Sequence, residues 1–108
     1  MDRQNCVAVI RHECIATEGF LIRLRGREFS REQYDHLMQA LYMYREIIRG
    51  QDWIEREIAY CLYFLDLELV SALKYFPREE AERTLISEAQ LRCSDLIIEI
   101  LTPEQMTA

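Results

Sequence analysis

The chain has 108 residues, half of them apolar and 30% charged, with a net charge of −6. That composition excludes a disordered chain and allows one core, expected to bury roughly 65% of the unfolded surface. The acidic balance argues against broad nucleic-acid binding, since phosphates require a cationic footprint. With only three Gly and two Pro, long helices are expected rather than many short strands.

In the N-terminal 25 residues, Val7, Ile10, Cys14, Leu21 and Leu24 fall on one helical seam that Gly26 could close, which predicts a helix. The β-branched Val7, Val9, Ile10, Ile15 and Ile22, with Glu18-Gly19 as a turn, leave a β-hairpin open as the alternative. Next, Ser30 reads as an N-cap, with Gln33 at the capping-box position and Phe29 and Tyr34 placed as a hydrophobic staple. The stripe Tyr34, Leu37, Met38, Leu41, Tyr44 and Ile48 carries a helix over 31–49, where Gly50 ends it.

Asp52 and Glu55 form a second capping-box pattern and predict a helix over about 53–76. Its primary stripe is Ile54, Ile58, Cys61, Leu65, Ala72 and Phe76, with Leu62 and Leu69 beside it, and a second face carries Trp53, Tyr60, Phe64 and Leu67. Residues 58–76 are apolar at all positions except Asp66, Glu68, Ser71 and Lys74, more than one buried stripe requires. The three charges, at roughly 2.5–3.5 kcal/mol each in a bilayer centre, argue against a membrane span. Pro77 favours a turn, with the helix before it ending near Lys74, over one rod kinked at that residue. A last helix with Glu79, Glu80 and Glu82 at its start runs to about residue 101 on the stripe Leu85, Ala89, Cys93, Leu96 and Ile100.

The expected fold is therefore all-α, an up-down four-helix bundle over 1–101, with 102–108 a short flexible tail. An N-terminal β-hairpin followed by three helices is the alternative. Residues 1–31 carry six Arg against four acids, while the remainder is strongly acidic. The four cysteines form no CxxC pair, and no signal-peptide pattern opens the chain, so a cytoplasmic protein with reduced thiols is expected.

Little points to catalysis. Asp66 and Glu68 are two residues apart, so they sit on different helix faces and cannot converge on one ligand. Glu79-x-x-Glu82 has the spacing of paired metal-binding carboxylates and resembles that of magnesium-dependent helical nucleotide pyrophosphatases. It falls, however, in a first turn, where acids are favoured anyway. With two His and no Glu-x-x-His, no metal or cofactor is expected. Cys14 and Cys61 could be nucleophiles only if the fold brought a histidine to them.

Arg31-x-x-x-x-His36 resembles the Arg-x4–6-His signature of HEPN domains, helical bundles that often dimerise and cut RNA across the dimer interface. The resemblance covers six residues, and it opens an early helix where that family's motif lies in a later one. It implies His36 as general base and Arg31 as the group stabilising phosphorane charge.

The aromatic content points elsewhere. Nine aromatic residues lie between Tyr34 and Phe76, and Tyr and Trp are enriched where proteins bind one another. The candidate interface residues are Tyr42, Tyr44, Trp53, Tyr60, Tyr63, Phe64 and Leu67. The expected function is a soluble, noncatalytic protein-interaction module acting as a homodimer through the 53–76 helix and the aromatic side of the 31–49 helix. A second protein would be its target, making the chain an adaptor, a regulator or an inhibitor of the immunity type. The HEPN-like RNase is the alternative.

Overall fold

The computed structural model describes residues 1–76 and 81–103. These are helical without a strand: α1 (Arg3–Ile15), α2 (Phe20–Arg25), α3 (Arg31–Ile47), α4 (Arg56–Tyr75) and α5 (Ala81–Leu101). Pro77, Glu79, Glu80 and residues 104–108 lie outside the described residues.

The N-terminal segment is helical, so the hairpin alternative is overturned, but the single helix expected there breaks at 16–19. The cause is local and steric. Ala16 is extended, and Gly19 lies so close to the last carbonyls of α1 that a Cβ there would stand 2.2 Å from the His12 oxygen. The carboxylate of buried Glu13 then starts the next helix, its Oε1 accepting the Phe20 N–H at 3.0 Å. The β-branched residues of α1 cost only tenths of a kcal/mol each in helix propensity, and burial of Val7 and Ile10 outweighs that.

At the end of α2 the N–H of Glu28 donates to Arg23 and that of Arg27 to Leu24, the bonding of a Schellman turn. The left-handed residue of this turn is Arg27, at φ 64°, rather than the preceding Gly26. Ser30 caps α3 as expected, accepting from the Gln33 N–H at 3.3 Å, and the Phe29 and Tyr34 rings meet at 5.5 Å. The Gln33 side chain does not return to Ser30, however. It donates to the Glu18 carbonyl and accepts from Arg23, tying α3 to the turn before α2.

The start of α4 departs from expectation. Trp53 and Ile54 precede the helix, and the N-cap is Glu55, whose side chain makes no capping bond. Its carboxylate is taken by other groups: Arg3 Nε donates to Oε2 at 3.0 Å and the Tyr44 hydroxyl to Oε1 at 2.5 Å. Arg3 also donates to Gln51 and to the Trp53 carbonyl, and stacks on the Trp53 ring at 4.0 Å. This clamp joins the first turn of α1, the last turns of α3 and the entry to α4. A charged hydrogen bond outweighs a capping interaction of about 1 kcal/mol, so the helix begins three residues later than the Asp52 pattern implies.

Each long helix packs on two others. α1 lies between α3 and α4, and α5 closes the other side between the same two; α3 and α4 do not approach each other closely. Arg3 beside Glu55 and Arg11 beside Glu57 make α1 and α4 parallel. Arg3 beside Tyr44 with Glu13 beside His36 makes α1 and α3 antiparallel, and Met38 beside Cys93 with Arg45 beside Glu99 makes α3 and α5 parallel. Directions alternate along the chain, but the spatial order is α1, α3, α5, α4. The 48–55 connection therefore crosses a diagonal instead of joining neighbours. A diagonal of about 14 Å, from helices spaced by about 10 Å, is within the reach of eight residues at about 3.3 Å each. α4 ends at Tyr75 with Phe76 extended, and α5, from Ala81, packs back along it, so α4 and α5 are two antiparallel helices rather than one kinked rod.

The expected stripes fill the interior except at Ile54, which is half-buried, and Leu85, whose place in the core Ile86 takes. Tyr34, Leu37, Met38, Leu41, Tyr44 and Ile48 are all buried, as are Ile58, Cys61, Leu62, Leu65, Leu69, Ala72 and Phe76. No buried side-chain nitrogen or oxygen lacks a hydrogen-bond partner among the described residues.

Candidate interaction surface

α4 carries more apolar surface than its neighbours cover. α1 and α2 pack on one flank and α5 on the other, leaving Tyr60, Tyr63, Leu67 and Val70 facing outward, with Tyr63 67% exposed. Spacings of three and four place these residues on one side of the helix, with exposed Arg56 and Lys74 at its two ends.

The surface continues onto α5, where Leu91, Ile98 and Leu101 are exposed, Leu91 at 64% and Ile98 at 60%. The seam between the helices is a groove of about 260 Å³ whose walls include Tyr63, Asp66, Ser94 and Ile98. That is small and open for a small-molecule pocket, which typically encloses about 300–1,000 Å³. A broader depression of about 910 Å³ lies at the end of the molecule between the last turn of α3, the 50–54 connection and the end of α5. Its two arginines are already paired, Arg45 with Glu99 at 2.5 Å and Arg49 with Glu46 at 3.2 Å. No group of three metal-ligating side chains occurs among the described residues.

The candidate interface residues separate into three sets. Trp53, Tyr60, Tyr63 and Leu67 are exposed, as is Tyr42, which lies away on α3 beneath the Arg45 guanidinium at 5.3 Å. Phe64 is half-buried, stacked on Tyr60 at 5.9 Å and capped by Arg25 at 4.9 Å. Arg25 is held there by a 2.7 Å bond to buried Glu68. Tyr44 is fully buried, and its hydroxyl serves the Glu55 clamp. The aromatic side of α3 thus faces inward at Tyr44, because the same stripe that makes α3 amphipathic includes it.

Leu91, Ile98, Leu101 and Val70 escaped the sequence reading. The signal is present: Thr84, Ser87, Leu91, Ser94, Ile98 and Leu101 form an uncharged heptad-spaced row opposite the α5 core stripe.

The groups weighed for chemistry are spread out. Arg31 pairs with Asp35 at 3.3 Å, and His36, five residues on, is rotated about 140° from it around the helix. His36 Nδ1 lies 3.5 Å from Glu13 Oε2. Asp66 sits in the α4–α5 groove, while Glu68 faces Arg25 on the opposite flank. Glu82 opens α5. All four cysteines are buried. A hydrogen bond to Cys61 and burial push the Cys14 thiol well up, and burial pushes Cys93 up to about 12, which keeps both as inert thiols.

No helix among the described residues is long and apolar enough to cross a membrane. Comparison with protein-family models, with curated proteins and with solved structures returns no match.

Proposed function

We propose that this chain is a small protein-interaction module, a cytoplasmic adaptor, regulator or inhibitor of the immunity type, built on an up-down four-helix bundle and acting as a homodimer. The observation that carries the reading is the outward face of α4. Tyr60, Tyr63, Leu67 and Val70 are exposed together on a helix whose other flanks are packed. Single exposed apolar residues need no explanation, but a contiguous patch marks an interaction site. Large Tyr side chains with Arg25 at the edge match the composition of binding hot spots. The net charge of −6 adds a second feature, since an acidic surface steers association with a basic target.

Light scattering coupled to size exclusion across a dilution series tests this. A species near 26 kDa, twice the 13.0 kDa chain, should persist to micromolar concentration. A monomer throughout would remove the homodimer. RNA cleavage abolished by His36→Ala would instead establish the HEPN-like nuclease.

A further inference from the structure

The occupant of the apolar face, and its orientation, follow from the register between α4 and α5. We propose that a second copy docks on the α4–α5 face about a two-fold axis parallel to the helices, so that α4 of each copy lies over α5 of the other. This rests on the self-association proposed above and specifies its surface.

Antiparallel packing sets the heights. Ala59, Tyr63 and Asp66 of α4 share one groove with Ser94, Ile98 and Leu101 of α5, and Arg83 reaches the Phe76 carbonyl at the far end. Ala59 is therefore about level with Leu101, and Asp66 with Ser94. Continuing that register puts Tyr60 level with Leu101 and Val70 level with Leu91. A rotation about an axis along the helices preserves height and exchanges left for right. Tyr60, Tyr63 and Val70 of one copy then fall on Leu101, Ile98 and Leu91 of the other, twice over. Together these six exposed residues and Leu67 offer on the order of 700 Å², close to the roughly 800 Å² per partner of a standard specific interface.

Charge selects this axis over the other face-to-face choice. An in-plane axis perpendicular to the helices would lay α4 on α4 with Arg56 against Lys74 of the second copy, and Asp95 against its own counterpart. All three are exposed, and like charges brought together in this way oppose association. The parallel axis instead brings Lys74 near Glu88 of the other copy, at the rim.

Mixing two singly substituted chains, Tyr63→Cys and Ile98→Cys, under mild oxidation tests the geometry. Both sites are exposed and the native thiols are buried, so the engineered pair can react without unfolding, which unchanged melting of each chain checks. The expected product is a disulfide-linked heterodimer formed well ahead of either self-linked chain. In addition, Lys74→Glu should raise the dimer Kd about 2–5-fold and Glu88→Lys in the same chain should restore it. A dimer by light scattering without the mixed cross-link, or with Tyr63→Cys linking mainly to itself, overturns this geometry and leaves self-association standing. A chain monomeric at millimolar concentration overturns both and gives the face to an unlike protein.

Discussion

Glu55→Gln tests whether a tertiary clamp, rather than a helix cap, fixes the entry to α4. In the native chain burial pushes the Glu55 carboxyl up, but hydrogen bonds from Arg3 and Tyr44 outweigh it and hold the group below the ordinary carboxylate range. The substitution keeps shape and partial hydrogen bonding but removes the charge. Hydrogen bonds to charged groups contribute about 1.5–3 kcal/mol and neutral ones about half as much. The pair is only partly exposed, at 19% for Arg3 and 23% for Glu55, so solvent screening is incomplete. The expected loss at pH 7 is about 1–2 kcal/mol, or a Tm lower by roughly 5–10 °C. A carboxylate depressed in the fold stabilises it above the unfolded value of about 4.3, and that contribution disappears as pH falls through the folded value. Urea titrations of both chains should therefore show a gap at pH 7 that is smaller at pH 3, below the ordinary carboxylate range. A gap of equal size at both pH values would refute the ion-pair account, and no gap at pH 7 would refute the clamp itself.

Three further outcomes follow from packing. Leu65→Ala, at a site with no solvent exposure, should cost about 2–5 kcal/mol in urea unfolding, while Tyr63→Ala should leave the stability of the monomer within about 0.5 kcal/mol; equal losses would mean that α4 is wholly internal. Gly19→Ala would set a methyl 2.2 Å from the His12 carbonyl, and should cost roughly 1–3 kcal/mol, read as a lowered Tm. Arg27→Gly relieves a left-handed non-glycine residue and should stabilise the fold by about 0.5–1 kcal/mol in the same assay.

Periodicity made the helices legible because burial and spacing agree: every residue of the α3 stripe is buried, as is every seam residue named in the N-terminal segment. What escaped depends on long-range partners. Asp52 and Glu55 have the right spacing for a capping box, but nothing near them in sequence announces that Arg3 and Tyr44 would take the carboxylate. Likewise the break at 16–19 follows from a backbone approach at Gly19 that a one-dimensional pattern does not contain. The exposed apolar face was half legible. Excess apolar residues identified the outer face of α4, whereas Tyr44 shares the α3 core stripe, and Leu91 and Ile98 gain meaning only once α5 is seen beside α4.

Side-by-side mass measurement of the native chain and Tyr63→Asp, at one concentration near 100 μM, asks whether the outer face of α4 holds two copies together. The native chain should be a dimer, and Tyr63→Asp a folded monomer of about 13.0 kDa with its helical circular dichroism intact. A substituted chain that remains dimeric would contradict this, because the self-association would then use a surface other than the outer face of α4.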